Sequence, residues 1–314
     1  MAPTALGAAT LNYQLTAYAQ GLWNDIADVV KLAERIAPST PVPGAAGQFK
    51  KFDDKNSFMP EKTARALGGD PVLLKFNATD DSFSCKPQAL EVTVDEEERR
   101  QAGPDNPLAQ QLLDEGKIKA LLNAIALSNA KKRVDYVLSK VVAEADLGEW
   151  SNKDIDPIEQ LDQVIIDLAT ACGNSEMIQV TMSLKAWGVL RNHPKSKARC
   201  NGVQAMPLTL EQVRTGLTVP VDMQAYAISY NEKQLGQAKS KKQLLIGDVL
   251  VHFSLPSPTV YDPSAFKVFT AGQNNITAVR SYMAANGLYG GHFVDYSEDL
   301  KQTSAEAMKR ITLK

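Results

Sequence analysis

Three histidines and three cysteines are where a search for nucleophilic, redox or metal chemistry starts in this 314-residue chain. Cys85, Cys172 and Cys200 are odd in number and widely, irregularly spaced. Such spacing builds neither a disulfide framework nor a paired zinc site, so the three read as reduced thiols that pack as small hydrophobes. His193 and Cys200 stand close enough in sequence to suggest a thiol–imidazole dyad, yet no third group accompanies them to orient the base. His252 lies inside the apolar run Val249-Leu250-Val251-His252-Phe253 and reads as a hydrogen-bonded core or edge residue. Asp95-Glu96-Glu97-Glu98 brings four carboxylates together, but consecutive side chains point in different directions. With Arg99-Arg100 behind them, they describe a solvated helix start. Two basic groups, Lys195, Lys197, Arg199 and Lys239, Lys241, Lys242, lie beside turn-forming residues without the interleaved aromatics of a stacking platform, so both read as solvated loops. GxxxxGK[ST], GxGxxG, HExxH, GxSxG and CxxC are all missing. No catalytic residue, cofactor site or metal site is therefore expected, and the chain is not expected to be an enzyme.

The bulk composition agrees with that expectation. The chain is 44% hydrophobic and 22% charged, which suits an ordinary globular protein with a sizeable core. Its formal net charge of −2 argues against a protein that coats nucleic acid or an anionic membrane by long-range attraction. The first twenty residues lack the basic and apolar regions of a signal peptide, and no run approaches the length of a membrane span. The expectation is a soluble chain made in the cytoplasm.

The elements come next. Leu22, Ile26, Val29, Ala33 and Ile36 form one helical stripe over residues 15–36, ended by the Pro38 to Pro43 stretch. Val72, Leu74, Phe76 and then Leu90, Val92, Val94 alternate, so residues 47–95 predict long hairpin-like strands. Five of the nine phenylalanines fall there, at Phe49, Phe52, Phe58, Phe76 and Phe83, among many Lys and Asp. That mixture fits an arm that buries aromatics against a partner while its rim stays wet. A small local β core fits it equally well. From Pro107 to Ala145 a long helix is predicted, on the order of 50 Å at 1.5 Å per residue, with Ile118, Leu121, Leu122, Ile125, Val134, Val137, Leu138 and Val141 on its buried side. Asp156-Pro157-Ile158-Glu159 reads as a capped helix start closed by Gly173, and Thr209 with Gln212 reads as a second capping box. Strands near Met177–Met182, Val221–Tyr230 and Leu244–Phe253 interleave with helices without a regular βαβ period, which favours an α+β architecture.

This order of segments resembles that of tailed-bacteriophage major capsid proteins with the Hong Kong 97-like fold, which encapsulin shells share. Residues 244–269, LLIGDVLVHFSLPSPTVYDPSAFKVF, carry the strongest likeness: a Gly-Asp turn, an apolar strand, a Pro-rich tract, then Asp-Pro-Ser and an aromatic strand. Residues 177–194, MIQVTMSLKAWGVLRNHP, resemble the strand and following helix of the same proteins. Gly47 to Phe52, and Phe83 through Glu97, resemble the arm ahead of the spine helix. The likeness covers nearly the whole chain from Gly47 onward.

It implies an N-terminal arm at 1–46, an extended E-loop at 47–95, a P domain with the spine helix at 96–150 and 256–314, and an axial A domain at 151–255. It also implies a virion capsid subunit that forms hexamers and pentamers of an icosahedral head around double-stranded DNA, without sequence-specific binding or membrane contact. Scaffolding, portal and decoration proteins are the partners implied, the first as a separate protein or bypassed by direct assembly. Phe49, Phe52, Phe58, Phe76 and Phe83 are the candidate subunit-interface residues. Two alternatives stand beside this reading: an encapsulin-like compartment shell, and a cytosolic α+β enzyme whose site lacks a linear motif.

Overall fold

The computed structural model describes residues 9–51, 64, 79–201, 206–232, 240–272 and 276–314. Strand β1 (Thr10–Leu11) enters helix α1 (Tyr13–Asp25) through Asn12, whose side chain accepts a hydrogen bond from the Leu15 amide at 3.1 Å. Helix α2 (Ala27–Ile36) follows at once. The single stripe over 15–36 is thus two helices. Ile26 leaves helical geometry (φ −77°, ψ 36°), and the break sends Leu15, Ala19 and Leu22 into one core and Leu32, Ala33 and Ile36 into another.

Strands β2 (Ser39–Val42), β3 (Ala46–Lys51), β4 (Thr79–Ser84) and β5 (Lys86–Asp95) come next. The acidic run opens α3 (Glu96–Ala102): Asp95 caps it, and the Glu98 carboxylate accepts from the Asp95 amide at 3.1 Å. Helix α4 (Pro107–Lys140) is the long helix, capped by Asn106 with Pro107 in its first turn. Its 34 residues span about 51 Å. Gly116 has open space around it and does not interrupt the helix, which ends five residues before Ala145.

Helix α5 (Pro157–Cys172) has the expected Asp156 cap and closes on Gly173 in the left-handed region (φ 64°). Then follow β6 (Ile178–Ser183), α6 (Leu184–Asn192), α7 (Pro194–Asn201), α8 (Leu210–Thr215), β7 (Asp222–Tyr226), β8 (Ser229–Asn231), β9 (Lys241–Gln243) and β10 (Asp248–Phe253). Thr209 and Gln212 form the expected reciprocal capping box of α8. The chain closes with β11 (Phe266–Ala271), β12 (Val279–Met283), β13 (Tyr289–Gln302) and β14 (Met308–Thr312).

Two sheets organise these elements. One has the order β1-β12-β13-β11-β2, with β5 also paired to β13. The other has the order β14-β10-β6-β7. Helices α5, α6 and α8 bury Leu161, Ile165, Trp187, Leu190 and Val213 on one face of the second sheet, against Val180, Met182, Val249, Val251 and Ile311. Its other face presents Leu250 and Met308 to α2 and α4, where Leu32, Ile36, Val134 and Val137 complete a core shared with Phe266 and Val268 of the first sheet. The α+β architecture is as the sequence implied.

Strand pairings join segments across three of the expected boundaries. Within 47–95, β5 is paired along its whole length with β13, from Lys86 opposite Glu298 to Asp95 opposite Tyr289. The hairpin proper is β3 with β4. Within 1–46, α1 and α2 pack on α4 and β2 pairs in parallel with β11, so the described part of that segment is built into the body. The terminal strand β14 crosses from the 256–314 segment to pair with β10.

Candidate functional site at the root of the hairpin

Strands β3 and β4 are locally polar, and an isolated two-stranded hairpin is marginal in water, so something must hold this one. Its two inward positions supply the hold. Phe49 and Phe83 pack on Phe269 of β11, with ring centroids 5.1 and 4.6 Å away, the second pair stacked at 22°. Val42 and Cys85 complete this cluster. Gly47 faces Phe83 across the pair, and a β-carbon there would lie 2.7 Å from the Phe83 ring, so only glycine lets the ring lie flat on the strand. Polar contacts lock the same root: the Ser84 amide donates to Asp299 at 2.8 Å, the Cys85 thiol donates to the Phe269 carbonyl at 3.3 Å, and Lys50 pairs with Asp80 at 2.6 Å. Burial, helped by the Asp299 charge, pushes the Cys85 thiol up and keeps it protonated.

Phe49 and Phe83 are therefore only 1% and 5% exposed within their own chain, their rings taken up by Phe269. They root the hairpin. Phe52, Phe58 and Phe76 lie outside the described residues. Phe269 and Asp299, which receive the root, carry no local sequence signal, because they sit over 180 residues away from their partners.

Buried polar contacts tie the hairpin's support to the second sheet. Arg133 of α4, 3% exposed, bonds Glu34 at 2.8 Å, the Ala37 carbonyl at 2.7 Å and Ser39 at 3.1 Å. Arg35 of α2 pairs with Asp222 of β7 and bonds Thr181 at 3.0 Å. Thr181 in turn meets His252 Nε2 at 3.1 Å. Lys267, wholly buried, is held by the carbonyls of Thr259 and Asp262 at 2.7 and 2.6 Å and by the Asp262 carboxylate at 3.1 Å, so it clamps the Pro-rich loop ahead of β11. Burial pulls its pKa down while Asp262 opposes.

The remaining chemistry-bearing groups are structural in their contacts. His193 bonds the Asn152 carbonyl at 3.1 Å, and burial raises the Cys200 thiol, the opposite of what a nucleophile needs. Ser281, His292 and Asp114 form a chain that the sequence did not suggest, with Ser281 Oγ 2.8 Å from His292 Nδ1 and His292 Nε2 3.2 Å from Asp114. Arg99 pairs with the same carboxylate at 3.0 Å. Burial works to raise the Asp114 pKa, but the His292 bond and the Arg99 charge outweigh it and hold the group below its usual value. These contacts join α3, α4, β12 and β13. Among the described residues, no three His, Cys, Asp or Glu side chains are grouped to hold a metal ion, and no helix is long and apolar enough to cross a membrane. A groove of 780 Å³ runs between the end of α4, α5 and the β13–β14 turn, with Lys140, Val142, Glu144, Asp167, Met308 and Lys309 among its walls.

No protein-family model matches the chain, and no curated protein matches it. Solved structures do. A phage-related protein from Bordetella bronchiseptica RB50 superposes over 97% of both chains with a TM-score of 0.74 at 20% identity. A candidate capsid protein of an Escherichia coli CFT073 prophage matches over 98% of this chain and all of its own, with a TM-score of 0.56 at 10% identity. The capsid of the cyanophage P-SCSP1u matches over the full chain and 92% of its own, with a TM-score of 0.51 at 8% identity. At these identities the likeness establishes the fold. It is the phage capsid-protein fold that the resemblance implied.

Proposed function

We propose that this chain is a major capsid protein: a structural subunit that assembles into the icosahedral head shell of a tailed phage and encloses its double-stranded DNA. The observation that carries the reading is the end-to-end likeness to solved phage proteins, over 97% of each chain for the phage-related protein and over 98% of this chain for the prophage capsid protein. The rooted hairpin supports it, because an aromatic anchor of this kind fixes the base from which the segment between β3 and β4 starts and returns. In this reading Phe49 and Phe83 fix the root, while Phe52, Phe58 and Phe76 meet the adjacent subunit. Hexamers and pentamers of the shell are the principal partners, and scaffolding, portal and decoration proteins contact the assembled surface. The 151–255 segment, with β14 added, is the part assigned to the capsomer axis. The virion capsid is the location, and the role is structural, without catalysis.

The test is sedimentation velocity of the purified chain, alone and with its scaffolding protein, over a range of salt and concentration. Capsomer-sized rings or closed particles are expected. A monomer under every condition would reject the proposal. An encapsulin-like compartment shell is separated from a phage head by its contents, a packaged enzyme against a genome.

A further inference from the structure

Residues 254–265 cross from β10 of the second sheet to β11 of the first without a helix or strand of their own. A connection of this kind is ordinarily mobile. This one is fixed from inside. The Lys267 ammonium has three N–H donors, and three acceptors surround it: the Thr259 carbonyl, the Asp262 carbonyl and the Asp262 carboxylate. The same carboxylate accepts from the Ser264 amide and hydroxyl at 3.0 and 2.6 Å, and from the Thr259 amide. Pro256, Pro258 and Pro263 restrict the backbone further. A buried ammonium is costly unless its donors are met. Here the loop meets them, so the burial of Lys267 holds the loop in one conformation.

The surface that this fixed loop presents is uncharged. Its one formal charge, Asp262, is turned inward onto Lys267, and residues 255–261, LPSPTVY, carry none. Pro256, Ser257 and Thr259 are exposed, and Tyr261 is 70% exposed. Among the described residues the Tyr261 side chain has no hydrogen-bond or ring partner. A lone exposed aromatic is ordinary on a protein surface. One carried on a rigid, charge-free loop is a different case, because interface centres are depleted in charge and rich in tyrosine. A side chain whose backbone is already ordered also loses little freedom on docking.

Strand β11 decides where this aromatic stands. Lys267 and Phe269 are two residues apart on it and so point to the same face of the sheet. Phe269 receives Phe49 and Phe83 of the hairpin root, Lys267 receives the loop, and Val260 joins the two by packing into the root cluster. Tyr261 therefore stands beside the base of the β3–β4 hairpin. An uncharged loop offers nothing to the phosphates of a packaged genome, and the hairpin beside it is the element turned toward the adjacent subunit in the shell reading. From this placement we infer that the Tyr261 ring is an assembly contact, buried against a second copy of this chain when subunits associate. The inference rests on the shell reading and adds to it a contact made by the body of the subunit.

Two variants and one measurement on the wild type test it. Y261A removes an exposed side chain, so its thermal midpoint should match the wild type. The concentration it needs for assembly, read by light scattering, should rise by about tenfold or more, as for the loss of an aromatic anchor. Y261F keeps the ring and should assemble close to the wild type. Hydroxyl-radical footprinting needs no variant: Tyr261 should be reactive in isolated subunits and protected in assemblies. Y261A assembling at wild-type concentrations, Y261F failing as Y261A does, or Tyr261 staying reactive in assemblies would overturn the contact and leave the shell reading standing. Protection of Tyr261 in isolated subunits by added scaffolding protein would overturn the second copy as its occupant. A wild type that never assembles, alone or with that protein, would overturn the shell reading and the contact with it.

Discussion

His252 is wholly buried in β10, and burial, reinforced by the Arg35 charge, pushes its pKa down to about 3. It stays neutral in the folded protein across the acidic range, while in the unfolded chain it takes up a proton below its ordinary value near 6.5. Unfolding therefore binds a proton between those limits, so stability is complete above about pH 6.5 and falls with pH below it, by about 1.4 kcal/mol per pH unit for this one group. His252→Gln should flatten that dependence. Urea melts of both proteins from pH 7 to pH 4 check it through the slopes, whatever the offset between them; parallel slopes would show that His252 is not the titrating group. That His252 belongs to the core is legible from its apolar flanks. That Thr181 and Arg35 stand over it is not, because those partners lie on other elements and their contact depends on the register of β6 against β10.

Elements whose signals are local read well from sequence. Asp95 with Glu98, Asp156 with Pro157 and Gly173, and Thr209 with Gln212 all mark helix ends where expected, because a cap is decided by three or four neighbouring residues. The strand β5 does not read so well. Its alternating Leu90, Val92 and Val94 fit a hairpin arm as readily as a sheet interior, and only the pairing with β13 decides between them. The consequence is a smaller arm with a defined base, since Lys51 and Thr79 face each other at the last register position of β3 and β4. Replacing residues 52–78 by Asn-Gly should close that hairpin as a tight turn and leave the Phe49–Phe83–Phe269 anchor intact. Shortening a loop costs the subunit little in closure entropy, so its thermal midpoint should stay within a few degrees while shell formation is lost. Ile125→Asp, by contrast, places an unpaired charge at a 2%-exposed position on the buried face of α4 and should cost several kcal/mol, enough to abolish folding. Circular dichroism melting beside electron microscopy separates the two. A shortened arm that still builds normal shells, or that unfolds as readily as the Ile125 variant, would contradict its role in assembly.

At the scale of the whole molecule, four hydrophobic clusters are joined by one helix and two sheets. α4 contributes Ile118, Leu121, Leu122 and Ile125 to the cluster under α1, and Ala130, Val134 and Val137 to the cluster shared by both sheets. Between them Asn129 and Arg133 face inward, with the Tyr296 hydroxyl donating to Asn129 at 2.9 Å, so the helix is apolar at both ends of its buried face and polar at the join. A continuous stripe is visible in the sequence; its division between two bodies is not, since that follows from where β13 and β11 lie. The architecture was legible from the order of segments, whereas the hairpin root, the crossing of β14 and the polar join were not, because each is made by residues far apart in the chain. The central claim is that this body repeats to enclose a volume, and cryo-electron microscopy of the assembled protein tests it most directly. The result expected is a closed icosahedral shell in which hexamers and pentamers are built from this fold, with the β3–β4 hairpin of each subunit reaching onto a neighbour. A purified protein that images only as single subunits or as a small fixed oligomer, with and without its scaffolding protein, would contradict it.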